Sequence, residues 1–238
     1  MKVILLAGGL GTRISEETFD KPKPMVLIDD KPILWHLMNI FATQGFTDFV
    51  VAAGYKSEVI INWVKSMNTS WNIQVLDTGL NTQTGGRIKL CMNEFPNERV
   101  FATYGDGLAN IDLKRLLRFH DRHQGLATLT AVHPPARFGV VEAENGLVTH
   151  FGEKSQAKSG WINGGFFVLD GEVADYIHSV HEPFETGAIP RLVGNSQLMA
   201  YHHEGFWHPM DTLREKQDLE KMARSQSVPW SQIKNFEI

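Results

Sequence analysis

The 238-residue chain is 42% hydrophobic and 21% charged, with a net charge of −4, the balance of an ordinary globular protein with its own core. The slight acidic excess excludes a general nucleic-acid binder, and the single cysteine, Cys91, excludes internal disulfides and Cys-rich zinc sites and suits a reducing cytosol. No stretch approaches the ~20 apolar residues of a membrane span, and the five apolar residues Val3–Ala7 are too few for a secretory leader; the expectation is a cytoplasmic protein with no membrane partner.

Val3–Ala7 is a continuous apolar run ending at glycines, the pattern of a strand buried on both faces. Pro32 reads as a first-turn proline for a helix through Ile33, Leu34, Leu37, Met38, Ile40 and Phe41, stopped by Gly45. Phe49–Ala53 is the next strand. Ser57 is placed to cap a helix whose apolar face is Val59, Ile60, Trp63, Val64 and Met67, and Ile73–Leu76 is a third strand. Gly85-Gly86 predicts a break before Ile88 and Leu90. Val100–Tyr104 is another buried strand, Asp112 caps a helix through Leu113, Leu116 and Leu117 before Gly125, and Ala127–Val132 is a strand again. Alternating strands and helices imply parallel strands with crossover helices on both faces.

After Pro134-Pro135 the pattern changes. Asn145-Gly146 predicts a hairpin turn between Val140–Glu142 and Leu147–Phe151. Trp161–Leu169 is a strand interrupted by Gly164-Gly165, Leu198–His202 is another, and Leu213–Met222 is a helix capped by Asp211 or Thr212. The pattern predicts one α/β domain whose C-terminal part is more mixed.

The first strand runs into Gly8-Gly9-Leu10-Gly11-Thr12-Arg13. Glycines allow backbone N–H groups to approach phosphate oxygens, and the Arg13 guanidinium suits a polyphosphate. The Walker lysine pattern and the GxGxxG fingerprint are both absent. Lys23 lies between Pro22 and Pro24, which restrict where it points, and reads as a second phosphate clamp. Asp106, between two glycines at the end of a strand, is either a turn residue or a Mg²⁺ ligand; Asp211 is either a helix cap or the second carboxylate. Glu153, Lys154, Asn163 and Gly164 fit a phosphorylated polar substrate. His120, His123, His202, His203 and His208 carry no known metal-ligand signature, Cys91 reads as a small buried hydrophobe, and no GxSxG nucleophile elbow appears.

LAGGLGTR (Leu6–Arg13) followed by KPKPM resembles the signature of the sugar-1-phosphate nucleotidylyltransferases. TGGR at 84–87, TYGDG at 103–107, RFG at 137–139, NGGFFVL at 163–169 and GFWHPMDT at 205–212 resemble the cytidylyl branch, the glucose-1-phosphate cytidylyltransferase group. The resemblance implies a Rossmann-like α/β fold with a mixed, mainly parallel sheet and helices on both faces. It also implies transfer of a cytidylyl group from CTP to glucose 1-phosphate, giving CDP-glucose and pyrophosphate, with Mg²⁺ as cofactor and a role in making deoxysugars for polysaccharides. It implies that Leu6, Ala7, Gly8, Gly9, Leu10, Gly11 and Thr12 hold the nucleotide, with Thr84, Gly86 and Arg87 on its base side. Arg13 and Lys23 would act on the triphosphate, Asp106 and Asp211 on the metal, and Glu153, Lys154, Asn163 and Gly164 on the sugar phosphate. Residues 1–135 would form the nucleotide half and residues 136–238 the sugar half.

Three departures stand out: the connection from Met67 to Ile73 is short, Ser155 stands where the family has proline, and Gly187-Ala188-Ile189 replaces Glu-Pro-Leu. The first leaves a homo-oligomer open, and the last two, on the sugar side by the resemblance, leave the identity of the sugar open. Rival readings are a nucleotidylyltransferase for another nucleotide or another sugar or alcohol phosphate, and a non-catalytic nucleotide-sugar-binding regulator.

Overall fold

The first apolar run forms β1 (Lys2–Ala7) in the computed structural model, which describes residues 1–135, 140–144, 147–152 and 160–231. Its side chains alternate between two buried faces: Val3, Leu5 and Ala7 enter one hydrophobic cluster, Ile4 and Leu6 the other. A strand with water on neither side needs no polar alternation, which explains the unbroken run.

Between β1 and the first long helix lie α1 (Ser15–Thr18), a 3₁₀ turn at Lys23–Met25, and the short pair β2 (Leu27–Ile28) and β3 (Lys31–Pro32). Then follow α2 (Ile33–Ala42), β4 (Asp48–Ala53), α3 (Ser57–Ser66), β5 (Asn72–Asp77), α4 (Thr84–Asn93), β6 (Val100–Tyr104), β7 (Gly107–Ala109), α5 (Leu113–His120) and β8 (Ala127–Val132). The remainder comprises the hairpin β9 (Val140–Glu144) and β10 (Leu147–Gly152), then β11 (Ile162–Asn163), β12 (Phe167–Leu169), α6 (Ala188–Gly194), β13 (Leu198–His203), β14 (Trp207–Pro209) and α7 (Leu213–Ala223).

Across the central sheet the order is β13, β8, β12, β6, β1, β4, β5, with β11 pairing β8 beside β12. β13–β8, β6–β1, β1–β4 and β4–β5 run parallel, while β11 and β12 run antiparallel to their neighbours. The sheet is therefore mixed and mainly parallel. Helices α2, α3, α5 and α7 cover one face through residues such as Phe41, Ile60, Leu116 and Leu219. Helices α4 and α6 cover the other through Ile88, Met92, Ala188 and Leu192.

Several local expectations are corrected. Pro32 is the residue before the helix rather than its first turn, in extended conformation. Ser57 does not cap α3: Lys56 takes that place in left-handed conformation, and the Ser57 hydroxyl donates to Asp77 at 2.8 Å. Gly85-Gly86 is no break but the first turn of α4, where absent side chains let the 180–184 segment cross; a Cβ on Gly86 would lie 2.2 Å from the Val180 carbonyl oxygen. Asp112 does cap α5, accepting from the Arg115 N–H at 2.8 Å. The Asn145-Gly146 turn lies outside the described residues.

Candidate functional site

The C-terminal ends of β1 and β6 open onto a cavity of about 680 Å³, lined at one side by Leu6 and the loop Gly8–Arg13. Parallel sheets place ligands at this edge because the loops leaving the strands diverge there. Gly11 adopts φ +65°, and a Cβ there would lie 3.0 Å from the Lys23 Cβ, so glycine permits both the loop's turn and the approach of the lysine segment.

Lys23 is held by the Lys23–Met25 turn, its side chain only 10% exposed. Its Nζ donates to Asp106 Oδ2 at 2.6 Å and to Asp211 Oδ1 at 2.6 Å. Arg13 Nη1 donates to the other Asp211 oxygen at 2.7 Å. Two cations and two carboxylates thus meet at the cavity, from sequence positions up to 198 residues apart. Asp211 is free to face them because it is not the helix cap. Thr212 caps α7 in a reciprocal capping box with Glu215, whose carboxylate also accepts from the Asp211 N–H at 2.7 Å.

Thr84, Arg87 and Asn163 also line the cavity, together with Leu80, Thr82, Gln83, Tyr104, Glu185, Trp207 and Pro209. Arg87 is placed there, but its donors turn inward. They bond the carbonyls of Ala53 (3.0 Å) and Gly8 (3.0 Å) and the Thr78 hydroxyl. Burial lowers its pKa below the usual guanidinium value. These bonds tie the glycine loop to the ends of β4 and β5. Ala7 is buried beneath the cavity rather than lining it, Gly86 faces Val180, and Gly164 packs on Val132 while its carbonyl accepts from Trp207 Nε1 at 2.9 Å. Glu153 and Lys154, with the Arg137–Gly139 motif, lie outside the described residues.

Glu185 carries no spacing signal in the sequence, yet both its carboxylate oxygens are engaged in the cavity wall. Oε2 accepts from the Thr84 hydroxyl at 2.7 Å and Oε1 from the Tyr104 hydroxyl at 2.6 Å. Asn163 Nδ2 in turn donates to Tyr104 Oη at 3.0 Å. Burial, and next the Glu185 charge, push the Tyr104 phenol well above its ordinary pKa, so it stays a donor.

Residues outside the cavity behave as small structural groups. Cys91 is fully buried, and burial pushes its thiol pKa up to about 12. Among the described residues no cluster of three or more His, Cys, Asp or Glu side chains is arranged to hold a metal. His120 and His123 instead both meet the Thr128 hydroxyl at 2.8 Å.

A profile described as nucleotidyl transferase matches residues 2–215. The chain belongs to the nucleotidyl transferase family. Among relatives of this nucleotidyl transferase, the glucose-1-phosphate cytidylyltransferase of Salmonella typhi is 42% identical, over 97% of this chain and 98% of that protein. The probable glucose-1-phosphate cytidylyltransferase of Bacillus subtilis is 36% identical over 97% and 99%. The solved structure of HddC from Yersinia pseudotuberculosis superposes with a TM-score of 0.76 at 23% identity, covering 94% of this chain and 99% of that one, which bears on the fold alone. Among the described residues no helix is long and apolar enough to cross a membrane.

Proposed function

We propose that the chain transfers a cytidylyl group from CTP to α-D-glucose 1-phosphate in the cytoplasm, forming CDP-glucose and releasing pyrophosphate. The observation that carries the reading is the Lys23–Asp106–Asp211–Arg13 cluster on a cavity bordered by a glycine loop, in a chain 42% identical to a glucose-1-phosphate cytidylyltransferase. A regulator that only bound nucleotide sugars would have no use for two carboxylates and two cations poised together.

A phosphate oxygen of the sugar 1-phosphate attacks the α-phosphorus of CTP in line. The new P–O bond forms as the α–β anhydride bond breaks, and the electron pair leaves on pyrophosphate. No covalent enzyme intermediate is needed, so catalysis consists of positioning and charge neutralisation. Residues 6–12 offer backbone N–H groups to the nucleotide's phosphates. Arg13 and Lys23 stabilise charge on the α-phosphate and on the departing pyrophosphate. Lys23 can do so without searching rotamers, since the proline-flanked turn already fixes it. Arg87 acts at one remove, holding the Gly8 carbonyl and so the shape of the loop. Thr84 borders the base side, and Asn163 the sugar. Lys154, on the resemblance alone, is assigned to the sugar phosphate. In this reading residues 1–135 supply most of the nucleotide site and residues 136–238 most of the sugar site.

Asp106 and Asp211 fit a divalent cation. Both offer only oxygen donors, and one ammonium already touches both, a donor set suited to Mg²⁺, which completes its shell with phosphate and water. When bound, Mg²⁺ supplies charge neutralisation and alignment of the phosphates. The test is pyrophosphate release across a matrix of four nucleoside triphosphates and several sugar 1-phosphates. The highest kcat/KM is expected for CTP with glucose 1-phosphate; a different preferred pair overturns the assignment.

A further inference from the structure

We infer that Glu185 is a specificity-determining residue for the sugar, its carboxylate accepting hydrogen bonds from ring hydroxyls of the sugar 1-phosphate. The inference rests on the proposed reaction and concerns a residue for which the motifs assign no role.

Glu185 is partly buried in the cavity wall, and among the described residues it has no ion pair. Its charge is held instead by neutral groups, the Thr84 and Tyr104 hydroxyls, one on each oxygen. A carboxylate kept partly out of water without a counter-ion is costly, and two neutral hydroxyl donors offset that cost only in part. The charge therefore points to a ligand. Each carboxylate oxygen has two lone-pair directions and spends one on its hydroxyl partner, leaving two acceptor sites side by side. Two adjacent acceptors complement hydroxyls on neighbouring carbons of a pyranose ring, and charge-assisted bonds to them are stronger than neutral ones.

Placement sets Glu185 where the two sides of the cavity meet, within reach of the sugar. Tyr104, which bonds Glu185, stands two residues before Asp106 at the end of β6. Asn163, which bonds Tyr104, adjoins Gly164, and Gly164 receives the Trp207 indole N–H. Trp207 opens β14, which leads directly to Asp211. Glu185 is thus linked through Tyr104 to the strand ends that carry both carboxylates and to Asn163, and through Thr84 to the first turn of α4. A sugar whose 1-phosphate lies near Asp106 and Asp211 would present its hydroxyls to this network. Thr84 and Tyr104 act as positioning residues, fixing the carboxylate's orientation.

The test uses the full chain and varies glucose 1-phosphate at saturating CTP, then CTP at saturating sugar phosphate. Glu185→Gln keeps the shape and one oxygen acceptor, while its Nε2 must donate where the second oxygen accepted, so its melting temperature should fall by only a few degrees. Its KM for glucose 1-phosphate should rise about 10- to 100-fold, as expected for losing bonds to a charged acceptor, with KM for CTP within about twofold. Wild type should also discriminate against 2-deoxy- or 3-deoxyglucose 1-phosphate, and Glu185→Ala should flatten that discrimination. An unchanged sugar KM in both variants, or a rise confined to CTP with relaxed choice between CTP and UTP, overturns the inference. If wild type releases no pyrophosphate from CTP and glucose 1-phosphate, it is the proposed reaction that fails. The same KM comparison on the best pair of the substrate matrix then decides Glu185.

Discussion

Replacing Asp211 by Asn separates its two candidate roles, since Asn caps a helix nearly as well as Asp but carries no charge. In the structure the cap is Thr212, and Asp211 instead accepts from Lys23 and Arg13. The Arg13 side chain is 69% exposed, so its ion pair contributes at most about 1 kcal/mol after solvent screening. The bond from Lys23 is better shielded, at 10% and 18% exposure, but an Asn carbonyl still accepts from it. The stability cost should therefore be about 1–2 kcal/mol, which for a chain of this size lowers Tm by roughly 3–8 °C. Turnover should fall far more, by about 10²-fold or more, with a raised Mg²⁺ requirement, because a hard cation loses a charged ligand. Thr212→Ala supplies the opposite pattern: about 1 kcal/mol less stable through loss of the cap, with near-normal turnover. Thermal melts and steady-state rates over a Mg²⁺ titration distinguish the two variants. Wild-type turnover of Asp211→Asn at limiting Mg²⁺ would refute the assignment of Asp211 to the metal.

Arg13→Ala should lower kcat by about 10²-fold or more while nucleotide binding weakens less; a normal kcat with only a raised KM would reduce Arg13 to a binding contact. Alanine at Gly86 should destabilise, reversing the usual gain of about 1 kcal/mol for Gly→Ala in a helix, because the new Cβ would meet the Val180 carbonyl at 2.2 Å; a raised Tm contradicts that packing. Burial lowers the pKa of His120, so between its unfolded and folded values the unfolded chain takes up a proton that the folded chain does not. Stability should be fully present above about pH 6.5 and fall as pH drops below it, by up to about 1.4 kcal/mol per pH unit from this residue. Urea melts at pH 7.5 and 5.5 should show that loss and a smaller one for His120→Gln; equal losses in the two proteins contradict it.

The strands that build the sheet centre were legible because burial on both faces leaves an unbroken apolar run, as at Val3–Ala7 and Phe49–Ala53. Strand direction was not: nothing in Phe167–Leu169 reveals that it runs antiparallel between β6 and β8, because side-chain pattern is blind to polarity. Helix α6 has Pro190 inside it and glycines at both ends, which hides its period, and Gly85-Gly86 reads as a breaker until the crossing segment is seen. Lys23, Asp106 and Asp211 stood out in the sequence through their motifs, and the structure brings them to one cavity. Their mutual contact was not legible, since it spans 83 and 188 residues. Arg87 was assigned to the base side through the resemblance of TGGR alone, whereas its carbonyl partners come from the ends of other strands. Glu185 stood out only as the start of a stretch that departs from the family pattern; its contacts to Thr84 and Tyr104, 101 and 81 residues away, are what place it in the cavity wall.

The most direct test of the central claim is to identify the products formed from CTP, α-D-glucose 1-phosphate and Mg²⁺ by ³¹P NMR and mass spectrometry of the reaction mixture. The account predicts CDP-glucose and pyrophosphate in equal amounts, abolished when EDTA removes the metal. A mixture that stays unreacted with CTP while another nucleoside triphosphate yields its diphosphate sugar, or one that turns over unchanged in EDTA, would contradict it.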